Sequence, residues 1–553
     1  MLAVFAAGTS ASAMAETDWA KHHPRRHEVN KRLNNQNRRI HQRVRTEERI
    51  HLKRHFVLIV GVLACVIALP APAAELTGQQ RALHVLNRLA YGPRPGDVAQ
   101  VMRMGVDQYI DEQLHPERIV LPASLNRQLA NLSAIKKSDR DLIAEFRDAA
   151  KEAKQDPERG KQERRELVKQ IALQTAAARL SRAIDSPRQL EEVMVDFWFN
   201  HFNVFEGKGL DRVLIAGYER EAIRPHVLGR FRDLLGATAT HPAMLFYLDN
   251  WQSTAPGFKP LFRGGNKQAP SGLNENYARE LMELHTLGVD GGYTQKDVTE
   301  LARILTGWTF DPREGSFRFA ERRHDQGDKT WMGHSINANG QAEGEFALDE
   351  LAKSPATARH ISYKLAQYFV ADQPPPHLVE QLARRFTQSG GDIRAVLNTL
   401  FHSPEFWDPA NYGGKFKTPY QYVLSALRAS DAHVVNYLPV LGALRQLGMP
   451  LYGCQTPDGY KNTQEAWLNP DALTRRINFA TALAAGRLAL STIPDRDNAH
   501  AMEQAKNFTP VDAKVLAATL DGLLSEQTRA SVAAADSRLQ SALMLGSPDF
   551  MHH

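Results

Sequence analysis

The sequence predicts a mainly α protein, a multi-helix globular domain with a small β-hairpin insertion near 309–340. Helical spacing of apolar residues, bounded by capping residues, recurs along most of the chain after residue 74. Only 309–340 departs from this pattern, because it alternates in polarity and is interrupted by glycine turns. The chain has 553 residues, 43% of them hydrophobic, which is enough for a large core.

Residues 1–52 predict a disordered basic leader, because they are rich in His, Arg and Asn and poor in aromatic residues. Residues 53–73 have the pattern of a signal peptide, with a basic start, the apolar stretch Phe56–Leu69 and an Ala-Pro-Ala cleavage signature. A signal peptide belongs at an N-terminus. We therefore hypothesise that the assigned start is too early and that translation begins near residue 53.

The signal peptide at 53–73 predicts a periplasmic or secreted protein. The alternative is an uncleaved anchor, in which Phe56–Leu69 holds the protein in the inner membrane. That stretch has 14 residues, which is short for a membrane-spanning helix. Contact with a membrane is therefore expected only through the leader, if it is uncleaved.

The charge distribution argues against a nucleic-acid partner. The chain contains 68 Lys and Arg and 62 Asp and Glu, and residues 1–73 hold 12 and 5 of these. The remainder therefore has 56 basic and 57 acidic residues, a net charge of −1. The basic excess lies in the leader, and 74–553 lacks the positive surface that phosphate backbones attract.

The remainder divides into a main helical domain at 74–480 and a C-terminal helical extension with a loose tail at 481–553. Prolines mark several helix junctions, at Pro157, Pro225 and Pro242. Helical segments are predicted at 77–114, 135–180, 186–205, 210–250, 273–287, 294–308 and 347–435, and a turn-rich strip at 449–480 leads into the last helical section.

The segment 186–205 is predicted to be a capped helix with a histidine on its apolar face. Ser186 fits an N-cap and Gln189 completes a capping box. His201 falls on the same stripe as the apolar residues, so it is either a buried histidine satisfied by a hydrogen bond or a ligand or acid–base group. A neighbouring polar stripe, formed by Asp196, Asn200 and Asn203, is expected to be solvated or to cap the helix.

The segment 271–308 contains the strongest candidate site. A helix is predicted from Leu273 to Leu287, ended by Gly288. Glu280 and Glu283 lie one turn apart on it, and like charges at this spacing repel each other. A compensating charge is therefore expected from Arg279 on the same helix, from a cation on another helix, or from a metal ion.

The polar residues of this helix, together with His201, are assigned predicted roles in catalysis and substrate binding. We predict Glu280, Glu283 and His201 as catalytic, and we predict a substrate-binding set of polar neighbours: Asn274, Asn276 and Arg279. His285 faces away from Glu283 on a regular helix, so the two cannot chelate one ion. A divalent metal is one candidate cofactor, and the sequence does not identify which metal.

Several blocks resemble the bacterial family called domain of unknown function 1800. They include FWFNHFNVF, GLNENYARELMELHTLGVDGGYTQKDVTELARILTGW and GGDIRAVLNTLFHSPEFW, and the resemblance covers about 80–480. The resemblance implies an exported protein, and a partner from a neighbouring exported family similar to sulfatases. It implies no reaction. The family often has His where this chain has Phe199, which disfavours a histidine-only metal site around His201.

Two classes of function fit the sequence. The first is a carboxylate-based hydrolase or metal-binding protein that uses Glu280 and Glu283. The sequence contains no phosphate loop, dinucleotide fingerprint, G-x-S-x-G motif or H-E-x-x-H motif that would indicate another chemistry. The second is a non-catalytic helical scaffold or partner-binding protein of the cell envelope, in which these carboxylates pair with Arg279 and a distant Arg303.

The export hypothesis predicts the N-terminus of the mature protein. N-terminal sequencing of the exported chain is expected to begin near Ala74, because the cleavage signature ends at Ala73. A mature chain that retains residues 16–52 would contradict both the signal peptide and the later translation start.

Overall fold

The computed structural model describes residues 75–259, 272–492 and 509–553. The disordered leader, the signal peptide and the apolar stretch Phe56–Leu69 lie outside the described residues. The prediction of a mainly α protein is confirmed. Within the described ranges, no helix is both long and apolar enough to cross a membrane.

The first half of the body is a series of helices joined by short turns. Helices α1 to α6 are Gly78–Arg88, Asp97–Met104, Val106–Leu114, Ala123–Ala130, Asp139–Gln155 and Pro157–Asp185. Helices α7 to α12 are Gln189–His201, Asp211–Gly217, Phe231–Thr240, Pro242–Tyr247, Asn276–Glu283 and Gln295–Ile304, with a π-helical segment at Tyr218–Ile223. Several helices begin at the predicted signals, and the capping box between Thr294 and Asp297 is present.

The β insertion is also confirmed, as two separate antiparallel hairpins. Strands β1 (Trp308–Asp311) and β2 (Ser316–Phe319) form one, and β3 (Lys329–Trp331) and β4 (His334–Ile336) form the other. The Trp308 indole is fully buried against the next helix. A Cβ at Gly344 of that helix would lie 2.2 Å from the indole, so only glycine allows this approach.

The second half returns to helices, and its end differs from the prediction. Helices α13 to α18 are Gln341–Lys353, Pro355–Phe369, Pro376–Gln388, Ile393–Phe401, Pro419–Ala429 and Leu438–Gln446. Helices α19 to α24 are Gln464–Trp467, Pro470–Ala484, Ala513–Thr519, Glu526–Ala534, Ser537–Leu545 and Pro548–Met551.

The loose tail predicted at the end of the chain is wrong. Ser547 caps α24, the Phe550 ring is fully buried, and Phe416 pairs with His552 in an antiparallel bridge. The apolar pair Phe550-Met551 therefore anchors the segment. Helix α23 packs against α20, and residues 74–553 form one compact unit.

A buried ionic network joins α6, α7 and the π-helical segment. Arg179 donates to Asp196 at 2.7 Å and to Glu219 at 3.1 Å. Arg224 donates to Glu219 at 3.0 Å and to Glu192 at 2.7 Å. Burial alone would raise the pKa of Glu219, but the charges of Arg179 and Arg224 outweigh it and lower that pKa to about 2. The carboxylates are thus paired within the core, as buried charges require.

Candidate functional site

Helix α7 lies at the centre of the candidate site, although it begins later than the sequence predicts. The predicted capping box is wrong, because Ser186 ends the preceding helix and α7 starts at Gln189. The Gln189 amide turns back instead and donates to the carbonyls of Ser186 and Ala183. The helix is apolar on most sides, which matches its burial in the core.

The polar stripe of α7 binds a loop rather than solvent. The Asn200 amide donates to the Tyr460 carbonyl at 2.8 Å and accepts from the Tyr460 amide at 2.7 Å. The Asn203 amide donates to the carbonyls of Cys454 at 3.0 Å and Thr456 at 2.9 Å. These two side chains fix the strip 449–463 against the helix, whereas Asp196 pairs with Arg179 of α6.

A glycine makes this close approach feasible. Gly459 has φ +69°, and a Cβ there would lie 2.1 Å from the Asn200 carbonyl oxygen. Any side chain would displace the strip or the helix. This contact was not predictable from local sequence patterns, because the two segments are 260 residues apart.

The helix that carries the two glutamates is shorter than predicted. It runs over Asn276–Glu283 rather than Leu273–Leu287. Its start is delayed to Asn276 because the Asn274 side chain accepts a hydrogen bond from the Asn276 backbone amide in a local turn. At its other end the Glu280 carbonyl accepts from two successive amides, and the chain then turns at Gly288, where φ is +84°.

Two histidines hold the C-terminal end of this helix. His201 donates from Nε2 to the His285 carbonyl at 3.1 Å, and His360 of α14 donates from Nε2 to the Leu284 carbonyl at 3.3 Å. Carbonyls at a helix end need outside donors, and the imidazoles supply them. The His285 side chain itself packs in the core, since it is 1% exposed.

The three imidazoles are neutral at neutral pH. Burial, followed by the charge of Lys364, lowers the pKa of His201 well below its ordinary value. The same two causes lower the pKa of His285 to about 3 and that of His360 to about 4. His201 Nδ1 is buried without a hydrogen-bond partner among the described residues. Of the two interpretations of His201, its geometry matches the buried, hydrogen-bonded one.

A cleft of about 300 Å³ opens beside these histidines, between α7, α14 and the strip 449–463. Its polar lining includes Asn200, His201, His360, Lys364, Asp458 and Lys461. Clefts of this size with convergent polar groups are typical of ligand sites.

Lys364 is the unusual group in this cleft. Burial, followed by repulsion from Lys461, lowers the pKa of Lys364 to about 8. Asp458 accepts instead from Lys461 at 2.6 Å. Among the described residues, Lys364 has neither an ion pair nor a hydrogen bond through its ammonium group. A desolvated, unpaired cation in a cleft is a common feature of functional sites.

The predicted carboxylate pair lies near this cleft but outside the residues that line it, and the charge of Asp458, a lining residue, acts on Glu280. Glu280 is one turn before Leu284, which lines the cleft on the same face of the helix. Burial raises the pKa of Glu280, and the charges of Glu283 and Asp458 raise it further. Neither glutamate forms an ion pair with a described residue. The charge of Arg279 lowers the pKa of Glu280 and offsets part of the expected repulsion.

The arginines expected to neutralise the pair do not reach it. Arg279 pairs with Glu275 at 3.2 Å and donates to Gln295. Arg303 pairs with Glu300 and Asp325. The scaffold hypothesis is therefore wrong in the partners it assigned to Glu280 and Glu283, although the chain does contain the buried network around Arg179.

The two asparagines predicted to bind substrate contact the backbone. Asn274 donates to the Asp249 carbonyl at 3.4 Å, and Asn276 donates to the Leu248 carbonyl at 3.3 Å. Both amides thus fix the helix start to the end of α10. Their substrate role, like that of Arg279, stays a prediction.

The described residues contain no group of three His, Cys, Asp or Glu side chains placed to hold a metal ion. The divalent metal therefore stays a prediction from the sequence alone. Sequence reasoning missed Lys364, His360 and Asp458. The spacing of His360 and Lys364, four residues apart on α14, was the available signal, but it did not reveal that α7 lies opposite.

Comparison with known proteins identifies the chain by family only. The family model described as "Protein of unknown function (DUF1800)" matches residues 84–552. This range includes the C-terminal extension 481–553 almost to its end, whereas the resemblance in the sequence blocks covers only about 80–480. No curated protein and no solved structure matches the chain.

The contact between the strip and α7 predicts that adding one methyl group at Gly459 lowers the stability of the protein strongly. Gly459→Ala is expected to reduce the free energy of unfolding by about 2–4 kcal/mol, because a left-handed backbone and a clash add together. Gly413→Ala is the matched control, since φ is +65° there and the space is open. It should cost about 1–2 kcal/mol. Urea denaturation measures both, and equal losses would contradict the contact.

Proposed function

The chain belongs to the DUF1800 family of proteins of unknown function. From the geometry of the site, we propose that it is an exported hydrolase. The proposed active site is the cleft beside α7, with Glu280 near it and Lys364 inside it. The observation that supports the proposal is the coexistence of an unpaired cation and an unpaired carboxylate pair at one cleft. The sulfatase-like partner implied by the resemblance stays a prediction.

The two groups have complementary protonation states at neutral pH. A pKa of about 8 leaves Lys364 roughly nine-tenths protonated at pH 7. Burial raises the pKa of Glu280, so its carboxylate is a stronger base than an ordinary glutamate. The carboxylate therefore suits a general base, and the ammonium suits a stabiliser of negative charge.

The proposed reaction is attack of water on an ester. Glu280 accepts a proton from the water, and the water oxygen forms a bond to the attacked centre. The Lys364 ammonium stabilises the negative charge that develops on the oxygens of that centre, and the bond to the leaving group then breaks. The leaving oxygen recovers the proton that Glu280 accepted.

The other predicted catalytic residues have supporting roles in this proposal. The Glu283 charge, one turn away, raises the pKa of Glu280. His201 holds the end of α11 through the His285 carbonyl and thereby positions Glu280. A neutral imidazole serves this purpose, so His201 need not exchange a proton.

This mechanism predicts a bell-shaped pH profile. Release of nitrophenolate from a panel of the 4-nitrophenyl esters of acetate, phosphate and sulfate is expected for at least one member. The rate should rise as Glu280 ionises and fall as Lys364 loses its proton near pH 8. Glu280→Gln should lower kcat by about 100-fold or more, and Lys364→Met should remove the alkaline limb.

A matched control is Glu275→Gln on the same helical segment, because Glu275 pairs with Arg279 away from the cleft. It should retain the wild-type profile. If no substrate of the panel is hydrolysed faster by the wild type than by Glu280→Gln, the hydrolase proposal fails. The non-catalytic scaffold or partner-binding function would then be favoured.

A further inference from the structure

The charges around the cleft leave one cation without a counter-charge. Asp196 is held by Arg179 at 2.7 Å, and Asp458 is held by Lys461 at 2.6 Å. Lys364 makes no such pair with a described residue, although it lies in the interior of the cleft. A desolvated ammonium without a partner costs free energy that an anion of opposite charge would recover.

The surrounding groups do not compensate for this charge over the pH range of interest. The elements packed around Lys364 bring the following titratable groups toward it: His201, His285, His360, Asp196, Asp458, Lys461, Tyr368 and Tyr460. Burial raises the pKa of both tyrosines, so they stay neutral. Glu280 is not among the residues that line the cleft. The three histidines are neutral, and both carboxylates already have a cation. Lys461 adds a second positive charge at the exposed side. The interior of the cleft is therefore positive.

We propose that the cleft binds an oxyanion, a phosphate, sulfate or carboxylate group, on the Lys364 ammonium. This inference rests on the proposed function, and it identifies the substrate of that site as an anionic compound. A compact ammonium binds such groups as a point charge with up to three donors. The cleft of about 300 Å³ has room for an oxyanion together with a small attached group.

Binding is expected to depend on pH because the cation itself titrates. An anion favours the charged form of Lys364, so the affinity should be highest below pH 8 and fall as the amine loses its proton. The buried imidazoles stay neutral over pH 6.5 to 9.5, because their pKa values lie below this range. A decline over this range is therefore assigned to the lysine.

Isothermal titration of the purified protein with inorganic phosphate, sulfate and acetate tests the site. Lys364→Met is expected to weaken binding of the preferred anion by roughly tenfold or more, because one charge-assisted hydrogen-bonding group is lost. Lys364→Arg keeps the cation and should stay within about threefold of the wild type. Lys514→Met, which removes an exposed charge outside the cleft, is the matched control and should change affinity far less than Lys364→Met. The ranking of the three anions distinguishes phosphate, sulfate and carboxylate substrates.

The outcome is separable from the hydrolase proposal. Glu280→Gln should bind the anion as the wild type does, even though it is expected to lose hydrolysis. Anion binding that requires Lys364, in a protein that hydrolyses nothing, would support the site and refute the reaction. Equal affinity in the wild type and in a folded Lys364→Met variant, or no binding of any of the three anions by the wild type, would overturn the inference. Circular dichroism establishes that each variant is folded.

Discussion

The reciprocal hydrogen bond between the Asn200 side chain and the Tyr460 backbone is the contact on which the candidate site depends. It fixes the strip 449–463 against α7, and this strip forms one wall of the cleft. Both hydrogen bonds lie in a partly buried position, where an unsatisfied amide would be costly. Gly459 allows this contact, because a side chain there would collide with the backbone of the helix. The cleft therefore exists only while the helix and the strip remain together.

The charges of the ionic network around Arg179 and those at the cleft differ in their pairing. Around Arg179 and Glu219, each cation has carboxylate partners, and the low pKa of Glu219 follows from that pairing. At the cleft, Lys364 and Glu280 have no ion-pair partners among the described residues. Charges in a protein core are normally paired because burying an unpaired charge costs free energy. An unpaired charge at a cleft therefore favours a functional role. This contrast is the physical reason for assigning function to the cleft rather than to the larger ionic network.

The sequence determined the helical class, the β insertion and several caps, because those features depend on local periodicity and on residues three or four apart. It also identified Glu280 as one of two like charges that need a compensating charge. The roles of His201 and His360 were beyond local reasoning, since each imidazole donates to a carbonyl of a helix far away in the chain. Lys364 escaped notice for the same reason: its environment is formed by segments that only the fold brings together.

The pKa of Lys364 tests the central claim most directly. Nuclear magnetic resonance of lysine side chains labelled with ¹³C, with the Lys364→Arg variant to assign the signal, reports that pKa in the intact protein. Burial and repulsion by Lys461 predict a midpoint of about 8. A midpoint near the ordinary lysine value of about 10.4 would show that the ammonium is solvated or paired. The cleft would then lack the unpaired cation on which both the proposed reaction and the proposed anion site depend.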